Sequence, residues 1–266
     1  MLFNHFKSNP KKKAKKAGFG ILIPTLIMAL LFNPENKRAQ SKTIAVDHFE
    51  KVIVSPHIQV TFKEGNEESV TIENAKLPLE KINMVVSGKT LHIYLDGAKT
   101  VTKTKTVQKN GWKQKVPIYK NTMVTAVVTY KKLQDLSLRG EETFVCESLI
   151  KADKFKLKIY GESQVYLNNV QFNSLSSSIY GESYLEIKKG TIGKQRFIAY
   201  GESRINTLGV DNQITKITSY GDGSFRFNVS ENLNITAFGE ANVAFEGDPK
   251  IKKGLVFGEA TVRKIN

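Results

Sequence analysis

Apolar and polar residues alternate along most of the second half of the chain. Around Gly161, the apolar residues Leu157, Ile159, Val165 and Leu167 occupy odd-numbered positions, and the positions between them are mainly polar. A period of two residues predicts β-strands, because successive side chains of a strand point to opposite faces. No interval carries ten or more residues with the 3.6-residue period of a helix, so the pattern predicts an all-β fold.

A short phrase centred on glycine recurs within this alternation, as in Tyr160-Gly161-Glu162. The recurring glycines are Gly140, Gly161, Gly181, Gly201, Gly221, Gly239 and Gly258, separated by steps of 21, 20, 20, 20, 18 and 19 residues. A period near 20 residues is typical of solenoids. Short strands repeated at this period predict a single-stranded right-handed β-helix with about 20 residues per coil.

Aligning the copies sorts each coil into columns, because successive coils stack about 4.8 Å apart. Two mostly apolar columns are expected in the core: Ile159, Ile179, Ala199, Ser219, Ala237 and Val256 before the aromatic residue, and Val165, Leu185, Ile205, Phe225, Val243 and Val262 four residues after the glycine. A third column holds only small residues, Ser163, Ser183, Ser203, Gly223, Ala241 and Ala260, which suits an inward bend. The glycines themselves are expected to adopt positive φ.

Two further columns are predicted to point outward on one face, about 24 Å long, which we call the ladder face. The aromatic ladder is Tyr160, Tyr180, Tyr200, Tyr220, Phe238 and Phe257. The acidic ladder is Glu162, Glu182, Glu202, Asp222, Glu240 and Glu259.

The ladder face has a structural and a functional interpretation. In the structural one, stacked rings stabilise the coils by about 0.5 to 1.5 kcal/mol per pair, and exposed carboxylates repel each other only weakly in water. In the functional one, the aromatics suit the apolar faces of sugars or a protein surface, and the carboxylates accept hydrogen bonds from sugar hydroxyls or basic side chains. Calcium is the weakest candidate ligand, because one carboxylate per coil lacks the dense Asp/Gly pattern of calcium-binding β-rolls.

Residues 43–136 show β-patterning without the regular repeat and are expected to begin the same stack with irregular coils and hairpins. One hairpin is predicted to pair Met84-Val85-Val86 with Leu91-His92-Ile93-Tyr94 through a turn at Gly88. Residues 137–266 are expected to form the regular coils. Together they make one predicted domain, residues 43–266.

Residues 97–120 contain seven lysines and no acidic residue, around the turn signal Asn110-Gly111 and the only tryptophan, Trp112. This composition predicts a lysine-rich hairpin. Its lysines either protect a sheet edge from pairing with other strands or form a cationic finger for an anionic partner such as lipid headgroups, acidic glycan or nucleic acid.

Residues 1–39 read as an export signal or an N-terminal membrane anchor. Eight basic residues stand against Glu35 alone, so this segment supplies +7 of the net charge of +15. An apolar run from Gly18 to Phe32 follows the first lysines and is interrupted by Pro24, which favours a cleaved signal peptide over a stable transmembrane helix. The moderate positive charge of the remaining chain does not indicate nucleic-acid binding.

Catalytic and metal-binding patterns are weak. The single cysteine, Cys146, follows Phe144 and Val145, and is expected to be a buried, inert thiol. The four histidines precede the regular coils without metal-ligand spacing, and no nucleophile-base pair or phosphate loop is visible, so we expect no cofactor, no metal and no enzymatic activity. The alternatives are a polysaccharide lyase or hydrolase built on a β-helix, and a purely structural envelope protein.

The chain resembles the bacterial "putative auto-transporter adhesin, head GIN domain" family over residues 43–266. The shared features are the start Phe49-Glu50-Lys51-Val52-Ile53-Val54, the segment Leu133-Gln134-Asp135-Leu136, the glycine-centred coils, and Phe245-Glu246-Gly247-Asp248-Pro249 before the last coil. The resemblance implies an exported β-helical adhesin. One departure is that family coils usually alternate small residues with glycine, whereas here Tyr or Phe and Glu or Asp flank each glycine.

These observations together predict a non-enzymatic, extracytoplasmic β-helix that acts as an adhesin-like scaffold in the periplasm, on the surface or in secreted form. The expected partner is an envelope glycan or surface protein on the ladder face. Self-association through the solenoid ends is a further expectation. Membrane contact is expected only through residues 1–39 if they remain uncleaved.

Overall fold

The computed structural model describes residues 41–109 and 111–265, so the predicted export segment lies outside the described residues. The irregular part contains β1 (Lys42–Ala45), β2 (Lys51–Val54), β3 (Ile58–Glu64), β4 (Ser69–Ala75), a 3₁₀ turn (Leu79–Lys81), β5 (Ile82–Ser87), β6 (Thr90–Leu95), β7 (Thr104–Lys109), β8 (Trp112–Pro117) and β9 (Val124–Tyr130). The regular part contains β10 (Asp135–Gly140), β11 (Thr143–Gly161), β12 (Gln164–Tyr180), β13 (Tyr184–Ile187), β14 (Gly190–Tyr200), β15 (Ser203–Thr207), β16 (Val210–Tyr220), β17 (Gly223–Asn228), β18 (Asn232–Glu246) and β19 (Lys250–Lys264). Within the two described ranges, no helix is long and apolar enough to cross a membrane.

The regular part is a β-solenoid of about six turns, which confirms the predicted fold class. Strands β10 to β19 pair in parallel with their equivalents in the next coil. The register aligns repeat with repeat, so that Tyr160 lies opposite Tyr180 and Tyr200 lies opposite Tyr220. The columns seen in the sequence are therefore columns in space.

The two apolar columns form the core over most of their length. Ile159, Ile179, Val165 and Leu185 are buried, and only in the last coil, at Val262 and Val256, does the burial become partial. The seven recurring glycines have φ between 91° and 123°, the positive values that the pattern predicts. This conformation turns the chain between the aromatic and the acidic residue without a side chain in the way.

The small-residue column makes a contact that the pattern does not reveal. Ser163, Ser183 and Ser203 are fully buried. Each hydroxyl donates to the carbonyl oxygen of the glycine one coil earlier: Ser163 to Gly140 at 2.9 Å, Ser183 to Gly161 at 2.9 Å and Ser203 to Gly181 at 3.3 Å. The serines thus satisfy backbone acceptors at the bend as well as fitting into it.

The irregular part joins the same stack, as expected. Strand β2 pairs in parallel with β6 and β10, and β3 pairs in parallel with β9 and β11. Antiparallel pairs β1–β4, β4–β9 and β5–β6 complete this end, and the last of them is the hairpin predicted around Gly88, where φ is 57°.

Strands β7 and β8 form a separate two-stranded antiparallel sheet in which Lys109 lies opposite Trp112. The predicted turn includes Asn110, which lies outside the described residues. Because this hairpin does not pair with the solenoid sheet, any strand edge that its lysines protect belongs to the hairpin itself.

Candidate functional site

The aromatic ladder is one continuous stack of six rings. Ring centroids from Tyr160 to Phe238 lie 5.0, 4.9, 4.7 and 4.9 Å apart with nearly parallel planes, and Phe257 follows Phe238 at 5.6 Å. Tyr180 and Tyr200 are still 39 % and 38 % exposed. Since each inner ring covers the faces of its neighbours, the exposed parts are ring edges and hydroxyl groups, and no inner ring offers a free face to a sugar.

The acidic ladder runs beside the stack, and all six carboxylate residues are exposed. None of them takes part in an ion pair with another described residue. A shallow groove of about 500 Å³ runs along the ladder and is also lined by Arg204, Ser224 and Asn242. The groove therefore presents repeated acceptors together with one cationic and several neutral polar groups.

A cavity of about 480 Å³ lies at the N-terminal end of the ladder face, lined by residues that include Tyr160 and Glu162. Arg139 occupies the place of the aromatic residue in the first coil, and its guanidinium carbon lies 5.0 Å from the centre of the Tyr160 ring. The Nε atom of Arg139 is buried and has no hydrogen-bond partner among the described residues. Arg139 thus caps the ring stack and lines the cavity.

His57 closes another side of this cavity in a strained conformation, with φ at 72°. Its Nδ1 donates to the carbonyl oxygen of Asn121 at 2.8 Å, and its Nε2 shares a hydrogen bond with the hydroxyl of Thr102 at 2.6 Å. Non-glycine residues at positive φ are uncommon and concentrate at functional sites. The sequence did not reveal this cavity, and its only signal was Arg139 in the degenerate first copy of the repeat.

Glu142 stands at the head of the small-residue column, where later coils carry serine, glycine or alanine. Its side chain is almost fully buried, and Oε2 accepts from the backbone N–H of Glu141 at 3.0 Å. Burial raises the pKa of the Glu142 carboxyl above its ordinary value.

Glu142→Gln is expected to change the pH dependence of stability. Because the folded-state pKa of Glu142 is raised, its protonation favours the fold at low pH, and this contribution is lost as pH rises from the ordinary carboxyl pKa through the raised one. Relative to wild type, the glutamine variant should therefore gain stability as the pH rises above the ordinary carboxyl pKa of about 4. Urea unfolding across this range measures the difference. Glu73→Gln, at an exposed position, is the control, and a pH-independent difference for Glu142→Gln would contradict the expectation.

The other titratable candidates have structural partners. His48 hydrogen-bonds Glu68 through Nδ1 at 3.0 Å, and His92 meets the hydroxyl of Ser55 at 3.0 Å. Cys146 is buried, and burial raises the pKa of its thiol. Within residues 41–109 and 111–265, no group of three or more His, Cys, Asp or Glu side chains is placed to hold a metal ion.

The stacked coils, with a patterned outer face, define a β-solenoid. A model of the family described as "Putative auto-transporter adhesin, head GIN domain" matches residues 48–249, and the chain belongs to this family. No curated protein was found to match the chain.

Solved structures share the fold. A "putative adhesin" from Bacteroides fragilis NCTC 9343 has a TM-score of 0.70 at 16% identity, covering 85% of this chain and 96% of that chain. A "putative adhesin" from Parabacteroides merdae ATCC 43184 has a TM-score of 0.62 at 17% identity, covering 87% and 98%. A "putative lipid binding protein" from Parabacteroides distasonis ATCC 8503 has a TM-score of 0.63 at 16% identity, covering 87% and 98%. At such identities the likeness establishes the fold alone.

Proposed function

We propose that the protein is an exported, non-enzymatic, adhesin-like scaffold whose ladder face binds an envelope or surface glycan or a surface protein. The observation that carries the proposal is the row of six exposed carboxylates without ion-pair partners among the described residues, beside six stacked rings. Membership of an adhesin-like family agrees with this role, and the basic and apolar composition of residues 1–39 supports export.

The stack determines how a ligand is contacted. Because the inner ring faces are covered, the ligand meets ring edges, tyrosine hydroxyls and carboxylates instead of lying flat on an aromatic ring. Sugar hydroxyls and basic side chains are donors that match these acceptors, and hydrogen bonds to charged groups are the stronger kind. Groups that repeat about every 4.8 Å favour an extended ligand, which makes many individually weak contacts.

Neutralising the acidic ladder is expected to abolish most of the binding. In the variant Glu182→Gln, Glu202→Gln, Asp222→Asn, the side-chain shapes are kept while three adjacent charges are removed, so affinity should fall at least about tenfold if each lost charge weakens one hydrogen bond. Binding is measured for the purified protein on arrays of cell-surface glycans and on immobilised envelope proteins.

The matched control removes three exposed carboxylates elsewhere, Glu73→Gln, Glu80→Gln and Glu231→Gln, and should bind like wild type. A second variant, Tyr180→Phe with Tyr200→Phe, keeps the ring stack, since Phe238 already stacks in the same column, and isolates the role of the hydroxyls. Binding that survives in the triple ladder variant, or that falls equally in the control, would contradict the proposal.

A further inference from the structure

The hairpin of β7 and β8, with the lysine that precedes it, projects an unusual set of side chains, and we call residues 103–117 the finger. Its lysines are Lys103, Lys105, Lys109, Lys113 and Lys115, and it contains no acidic residue. Trp112, beside its turn, is 82 % exposed. None of these lysines forms an ion pair with another described residue.

The strand pairing sorts these side chains onto two faces. Directly opposed residues of an antiparallel pair share a face, and the register places Lys105 opposite Val116, Val107 opposite Gln114 and Lys109 opposite Trp112. One face therefore combines an indole and two valines with two lysines. The opposite face carries Lys113 and Lys115 among threonine, glutamine and proline side chains.

Pairing and packing within the solenoid do not account for this composition. A two-stranded hairpin is at best marginally stable in water, and this one shares no strand pairing with the solenoid. Most of its side chains are exposed, so they contribute little to a core. These exposed side chains are therefore available to contact a partner outside the chain.

The chemistry of the finger matches a lipid surface. Tryptophan prefers the boundary between headgroups and acyl chains, because one part of the indole is apolar and its N–H needs a partner. Lysines bury their methylenes and keep the ammonium group at the level of anionic headgroups. Each strand has six residues, so the hairpin is about 20 Å long. A hairpin of this size can touch a flat surface, but it is too small to enclose a polymer.

We propose that the finger docks on the surface of an anionic lipid bilayer, with Trp112 at headgroup level and the lysines paired with lipid phosphates. This contact uses residues other than those of the ladder face and is additional to any anchoring by residues 1–39. It would hold the solenoid close to a membrane.

The lone tryptophan makes the test direct, because its fluorescence reports on the finger itself. The full-length protein is mixed with vesicles of phosphatidylcholine alone or of phosphatidylcholine with phosphatidylglycerol. The anionic vesicles should shift the Trp112 emission to the blue, and added salt should reverse the shift. Lys105→Gln with Lys109→Gln should weaken the apparent vesicle affinity by at least about tenfold, since each lysine near an anionic surface is worth about fivefold.

The matched control is Lys194→Gln with Lys216→Gln, two exposed lysines of β14 and β16, which should leave the emission shift unchanged. Vesicle binding without any change in Trp112 emission would place the contact elsewhere in the chain and overturn the proposal. An equal shift with uncharged vesicles would also overturn it, and so would an equal shift with soluble polygalacturonate, which would assign the finger to an acidic polymer. Ladder-face binding should be unaffected by the finger variants, so the two proposals can fail separately.

Discussion

Replacing Gly181 by alanine is expected to lower the free energy of unfolding by more than about 3 kcal/mol. Its φ of 109° lies outside the left-handed region that other residues can occupy at modest cost. A Cβ atom there would also collide with the carbonyl oxygen of Gly161, which belongs to the backbone of the neighbouring coil. That oxygen accepts the hydroxyl of Ser183, so relieving the collision would break a buried hydrogen bond and separate the coils.

Gly88→Ala is the matched control for this prediction. Gly88 also has positive φ, at 57°, but a Cβ there would meet nothing within 4 Å. Alanine at this position should cost only about 1 kcal/mol, the ordinary penalty of the left-handed conformation. Urea unfolding followed by circular dichroism measures both variants. Equal losses would show that neither the larger φ of Gly181 nor the close packing of the coils adds to the cost, which would contradict the prediction.

Phe197→Ala is expected to cost about 3 to 5 kcal/mol. Phe197 is fully buried inside the solenoid, and its ring stacks on that of Phe227 at a centroid distance of 5.6 Å. Removing the ring loses its transfer free energy and leaves a cavity that the strand backbones on either side cannot close without breaking their register.

The same substitution at Phe257 removes a ring that is stacked but exposed, so the comparison with Phe197 isolates the effect of burial. Phe257 also stacks on a neighbour at 5.6 Å, but it is 63 % exposed at the last coil. Phe257→Ala should therefore lower the stability by no more than about 1 kcal/mol. Calorimetry or urea unfolding of the two variants tests the contrast, and similar losses would mean that the outer stack contributes as much to stability as the core.

Repetition explains why so much of this fold was predictable. In a solenoid each coil contacts only its neighbours, so a period along the chain becomes a column in space. The positive φ at Gly161 and the burial of Ile179 both follow from their places in the repeat. The hairpin around Gly88 was predictable for a different reason, because its turn and its strands are adjacent in the sequence.

The candidate site was predictable only in part. The two ladders follow from the repeat, but the cavity at their N-terminal end joins His57, Thr102 and Arg139, which come from three distant segments. No local pattern links such residues, and Glu142 fills a column position that the repeat reserves for small side chains. These departures occur where the regular coils meet the irregular part, since a terminal coil has no identical neighbour to pack against.

The sequence by itself determined the solenoid, its period, its core columns and the two ladders, because all of these depend on alternation and on one repeat length. Only the tertiary structure decided what the ladders offer to a ligand. Ring centroids at most 5.0 Å apart from Tyr160 to Phe238 close the inner ring faces, so that ring edges, hydroxyls and carboxylates remain for a ligand. Only the tertiary structure shows that the finger is not paired with the solenoid sheet, because strand pairing depends on residues far apart in the sequence and local patterning does not specify it.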